Sequence, residues 1–101
     1  MLRITLKDDG EAATRLILEG RLGGPWIEEL RRSFEEWFIN RRDRKLIVDI
    51  SDLTYADVIG TQVLNEIYAQ TGAAFVTNSP WNQYLAAAIT KSNLDPTNRE
   101  A

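Results

Sequence analysis

The residues able to do chemistry gather between Asp49 and Thr61. Three carboxylates (Asp49, Asp52 and Asp57) share that stretch with the hydroxyls of Thr54, Tyr55 and Thr61. Clustered carboxylates can hold a hard cation. A hydroxyl beside a helix N-terminus can take a phosphate, which the exposed amides and the helix dipole favour. Aspartates at such spacing more commonly cap helices and form turns, and the dense Asp run of a calcium loop is absent here. Thr61 falls in a first helical turn, where a threonine hydroxyl commonly bonds back to its own helix.

Much other chemistry is excluded outright. The chain has no cysteine and no histidine among 101 residues. A disulfide framework cannot form, zinc loses both favoured ligand types, and no Ser-His-Asp or Cys-His centre can be assembled. No side chain normally titrates near neutral pH. There is no Gly-Lys-Ser/Thr phosphate loop. Gly20, Gly23 and Gly24 are spaced as a turn, not as a dinucleotide fingerprint. The sequence therefore points away from an enzyme, a resident metal or a cofactor.

The bulk numbers agree with a binding domain. A hydrophobic content of 44% is enough for one core in a chain of this length. With 12 basic and 15 acidic residues the net charge is −3, which argues against nucleic acid as partner. Met1 to Lys7 alternates in polarity and lacks the apolar region of a signal peptide. No apolar stretch approaches the ~20 residues that span a bilayer. The expectation is a cytoplasmic protein without direct membrane insertion.

The elements that must position the 49–61 stretch are legible from periodicity. Leu2, Ile4 and Leu6 alternate with polar residues, as in a half-buried strand. Asp8-Asp9-Gly10 reads as a turn. A second strand follows from about Thr14 to Glu19, and the two form a hairpin. Gly20 to Gly24 is expected to break regular structure. Pro25 then opens a first helix. Trp26, Ile27, Leu30, Phe34, Trp37 and Phe38 line one face of it, as core packing. On its other face Glu28–Arg32 reads as a favourable ion pair and Arg31–Glu35 as its weaker reverse. Arg41, Arg42, Arg44 and Lys45 follow, as cations at a helix C-terminus, or else as an anion patch.

Leu46-Ile47-Val48-Asp49-Ile50 is an apolar run closed by an acid and Ser51, read as a central strand covered on both faces. Ser51 to Ala56 is expected as a loop. Ile59, Val63, Leu64, Ile67 and Tyr68 mark a second helix that stops at Gly72. Ala73 to Thr77 is a fourth strand. Ser79-Pro80 caps a third helix, lined by Trp81, Tyr84, Leu85, Ala88 and Ile89. From Ser92 onward the chain is polar and is read as a frayed end. The domain is therefore 1–95, with 96–101 as a polar tail. The fold class is α/β, a mixed four-stranded sheet with helices following strands 2, 3 and 4.

The run from Ile47 to Gly60 resembles the signature of STAS domains, those of anti-sigma-factor antagonists and anion transporters. That signature is an apolar strand, an Asp, a short loop with a hydrophobic residue, then Asp-Ser-x-Gly opening a helix. Glu19-Gly20-Arg21-Leu22 is similar to the family's exit from its second strand, and Asn78-Ser79-Pro80 to the entry into its third helix. The resemblance spans about residues 1–95 through order and spacing, since each motif is short. It implies a protein-binding turn at Asp57, Val58, Ile59, Gly60 and Thr61. In the family, the serine of that turn is a phosphorylation switch. Here the serine falls on Val58, which cannot accept phosphate, while Asp57 and Gly60 are retained. Thr61 and Thr54 are the nearby hydroxyls able to inherit the role.

The implied function is a non-catalytic bacterial signalling module whose partner is an anti-sigma factor or a serine kinase-like protein. The alternative is a cytoplasmic STAS-like accessory subunit of a membrane transport system, with transporter subunits as partners. Many family members continue with a further strand and helix. Only about ten, mostly polar, residues follow Lys91 here, and an apolar face left uncovered favours a homodimer or docking.

Overall fold

The computed structural model describes residues 1–41 and 43–94, with side chains through Lys91. Arg42 and the 96–101 tail lie outside the described residues. The alternating N-terminus forms β1 (Leu2–Asp8), which pairs antiparallel with β2 (Ala13–Leu22) from Leu2↔Gly20 to Asp8↔Thr14. Then come α1 (Trp26–Arg41), β3 (Lys45–Ala56), α2 (Val58–Thr71), β4 (Ala74–Val76) and α3 (Pro80–Leu94). The sheet order is β1-β2-β3-β4, with β2, β3 and β4 parallel. The fold class read from the sequence is thus the one observed.

Sheet order explains where the helices lie. Both crossovers step the same way along the sheet, and right-handed connections then place α1 and α2 on one side. Leu16 and Leu18 of β2 and Val48 and Ile50 of β3 are fully buried beneath them. Leu30, Phe34 and Trp37 of α1 and Val63, Leu64 and Ile67 of α2 supply the facing layer. Leu85 and Ile89 of α3 complete it. Each such side chain contributes about 1.5–3 kcal/mol by leaving water. Gly72 ends α2 at φ 66°, a left-handed cap in which its N–H bonds to the Tyr68 carbonyl. No helix among the described residues is long and apolar enough to cross a membrane.

Several local expectations are corrected. β3 is not covered on both faces: buried Leu46, Val48 and Ile50 alternate with half-exposed Ile47 and Asp49, and the second face is open. Ser51–Ala56 is not a loop but the continuation of β3. Gly20–Leu22 likewise stays in β2, because it pairs with that continuation. Two register shifts accommodate the pairing, between Ile17 and Glu19 and between Gly20 and Arg21, and each places an extra residue on β3. On α1 the ion pairs are Glu28–Arg31 and Glu29–Arg32, one residue closer than expected, and Arg31 also reaches Glu66 of α2 at 2.8 Å. The third helix does not fray at Ser92 but runs to Leu94.

Arg44 is neither a simple dipole partner nor part of an anion patch. Its guanidinium donates to the carbonyls of Gly10, Glu11 and Ala13 and to Thr14 Oγ1. It staples the β1–β2 turn to the start of β3, satisfying carbonyls that the turn would otherwise leave to water. Arg41 adds a bond to Asp8 at 3.1 Å.

Candidate functional site

The stretch singled out by its chemistry forms a tip where β2 and β3 end and α2 begins. Asp57 sits there in extended conformation and caps α2, its Oδ1 accepting from Gly60 N at 2.7 Å. Such a cap stabilises a helix by about 1 kcal/mol. The Asp57 N–H donates to the Leu22 carbonyl at 3.1 Å, which ties the cap to β2. Gly60 is required by close approach: a Cβ there would lie 2.8 Å from Leu22 Cγ and 3.0 Å from Leu22 O. Gly23 leaves the same kind of room for Asp57, whose Oδ2 would be 2.9 Å from an added Cβ.

With the glycines drawn in, the apolar residues between them stand out. Val58 is 73% exposed and Ile59 48%. The ring of Tyr55, at the end of β3, is covered by the Arg21 guanidinium at 4.2 Å from the centroid, a cation–π contact. Neither candidate hydroxyl is idle. Thr61 Oγ1 donates to the Asp57 carbonyl and Thr54 Oγ1 to the Gly20 carbonyl, both at 2.9 Å.

The three carboxylates do not converge. Asp57 is held by its helix, Asp52 is exposed, and Asp49 is drawn to Arg15 across the open face at 2.9 Å. Burial alone would raise the Asp49 carboxyl, but hydrogen bonds from Ser51 and Arg15 and the guanidinium charge outweigh it and hold the carboxyl below its ordinary range. Among the described residues, no group of acidic side chains is arranged to hold a metal ion.

One structural residue of this region escaped the sequence reading. Asn82 is 1% exposed at the start of α3. Its Oδ1 accepts from the backbone N–H of Asn78 and Ser79, and its Nδ2 donates to the carbonyls of Ile50 and Ser51. It therefore continues the edge of β3 beyond the point where β4 stops, and fixes α3 against the sheet. Ser79 Oγ accepts from Asn82 N in return, a reciprocal cap. The Ser-x-x-Asn spacing was the signal available.

The sequence matches no protein-family model and no curated protein. Solved structures do match. An anti-sigma factor antagonist from Mycobacterium paratuberculosis is similar with TM-score 0.74 and 17% identity, over 96% of this chain and 82% of that one. An antisigma-factor antagonist STAS domain from Rhodobacter sphaeroides gives 0.57 and 17%, over 75% and 84%. This is the STAS fold. The anti-sigma factor antagonist SpoIIAA in its unphosphorylated form shares it, with TM-score 0.67 and 14% identity over 82% and 80% of the two chains. At these identities the likeness is one of fold, and the STAS fold accounts for the mixed sheet, the three helices and their order.

Proposed function

We propose that this chain is a non-catalytic, protein-binding regulatory module of the anti-sigma-antagonist kind. It docks through the turn and helix at 54–68, around Asp57, Val58, Ile59, Gly60 and Thr61. The observation that carries this reading is the exposure of Val58 at the N-terminus of α2, on a STAS fold, where the family resemblance expects a serine. An aliphatic side chain there cannot be phosphorylated, so docking at the tip is constitutive in this reading. The exposed apolar pair then supplies contact area that is desolvated on binding, the kind of anchor that dominates interface energies.

The bonds made by Thr61 and Thr54 support the same reading. Each hydroxyl proton is already given to a backbone carbonyl, and Asp57 already occupies the helix N-terminus that a phosphate would use. A phosphate on Thr61 would meet that carboxylate as a like charge. Among purified proteins, the partner to test is the kinase-fold anti-sigma factor encoded nearest the gene, by titration calorimetry. Val58→Glu is expected to weaken binding at least tenfold. Equal affinity of Val58→Glu and wild type for that partner would remove the tip from the interface. Incubation with the kinase and ATP is expected to leave Thr54 and Thr61 unlabelled.

A further inference from the structure

The surface next to the tip differs in charge from the rest of the molecule. Charged residues make up 27% of the chain, yet between Leu53 and Thr90 only Asp57 and Glu66 are charged. Asp57 is drawn back onto Gly60, and Glu66 turns to Arg31 of α1. The outward stripe of α2 runs Val58, Thr61, Gln62 and Asn65, residues three and four apart. Alongside it α3 presents Trp81, Tyr84 and Ala88 at the same spacing, with exposed Lys91 next along the stripe. Between the helices lies a groove of about 220 Å³ lined by Thr61, Gln62, Asn65, Ala88 and Ile89. Tyr84, 75% exposed, stands one helical turn from that groove.

A projecting aromatic ring and an uncharged hollow on one face make that face self-complementary. We propose that the α2–α3 face pairs with the same face of a second copy about a two-fold axis. Tyr84 of each copy then seats in the groove of the other, as an isologous interface requires. Charge favours this face for the pairing. Groups close to a two-fold axis meet their own copies, and the stripe from Trp81 to Ala88 brings no like charges together. The outer face of α1 carries Glu28, Glu29, Arg31, Arg32, Glu35 and Glu36, and the open sheet face carries Arg3, Lys7 and Arg15 together with Glu19 and Asp49. Depletion of charge with enrichment of Tyr and Trp is also the composition of interface centres.

The proposal rests on the docking reading of the tip in one respect: Val58, Thr61, Gln62 and Asn65 lie in both surfaces. Self-association then covers the tip and competes with a protein partner. The assay is sedimentation equilibrium of the full chain from about 1 to 300 µM. A monomer–dimer equilibrium is expected. Tyr84→Ala and Val58→Glu each raise the dimer Kd at least tenfold. Ile39→Glu, at a residue 75% exposed on α1, leaves it unchanged. Raising salt from about 0.05 to about 1 M does not weaken the dimer, because no ion pair is screened. A monomer at every loading would overturn the proposal, as would a dimer lost in Ile39→Glu and kept in Tyr84→Ala. A monomeric wild type that still binds a kinase-fold partner through Val58 sinks only the self-pairing and leaves the docking function standing.

Discussion

Asn82→Ala tests the anchoring of α3 most directly. The substitution strips acceptors from the N–H groups of Asn78 and Ser79 and donors from the carbonyls of Ile50 and Ser51. Asn78 is exposed, so water can serve its N–H again, and Ser51 is only half-buried. Ile50 is fully buried and Ser79 partly so. About two groups therefore stay unserved, at ~1–3 kcal/mol each, which gives a loss of about 2–6 kcal/mol. For a domain near this size that lowers Tm by roughly 10–30 °C. Urea unfolding followed by circular dichroism measures the loss. A change under about 0.5 kcal/mol with an unaltered urea slope would show that Asn82 does not anchor α3. Asn82→Asp adds a second reading. Its carboxylate keeps the acceptor role but faces the Ile50 carbonyl without a proton to donate, so its folded pKa is raised above the unfolded value. That variant is most stable, relative to wild type, below the unfolded pKa, and loses stability as pH rises through the folded one. Asn82→Ala shows no such trend.

Two further outcomes follow from the same structure. Gly60→Ala gains about 1 kcal/mol of helix propensity, but its methyl meets the Leu22 carbonyl, which is backbone and cannot step aside. The net loss is about 1–2 kcal/mol, and a raised Tm in thermal melts would refute the close contact. The depressed carboxyl of Asp49 gives stability that is full above its unfolded pKa, near 3.8, and lost as pH falls through the lower folded value. Asp49→Asn should therefore cost up to about 1 kcal/mol at neutral pH and nothing in strong acid. Urea midpoints across that pH range check the sign, and a gap that widens in acid would refute it.

Most of the fold could be read because its inward residues keep regular spacing. Leu2 and Ile4, then Leu16 and Leu18, recur every second residue, and Val63, Leu64 and Ile67 mark a helical stripe. The end of β3 could not be read this way. Its inward residues are Val48, Ile50, Leu53 and Ala56, so the spacing changes from two to three just where the bulges fall. A spacing of three is not a strand signal, so alternation does not reveal Ser51–Ala56 as strand. At the tip, Asp57 is legible as a cap because that role is local, whereas Gly60 packs against Leu22 of β2, far away in the sequence. The bonds of Thr54 and Asn82 were not legible, because their partners lie 34 and 32 residues away. Arg44 shows the same limit: four cations within five residues say nothing of the turn one of them holds.

The two extra residues of β3 also make the approach to the tip tolerant of changes in length. Each is absorbed in a bulge, so the residues beyond it keep their partners: Leu53 stands opposite Gly20 after one shift, and Ala56 opposite Leu22 after both. Removing the extra residue of either bulge would restore plain pairing there and leave Leu53, Ala56 and the tip facing as they do now. Length variants of this segment would therefore divide by position and not by count: those that release a bulge keep a working tip, and those that break the regular pairing of Ile47 to Asp49 turn inward residues out.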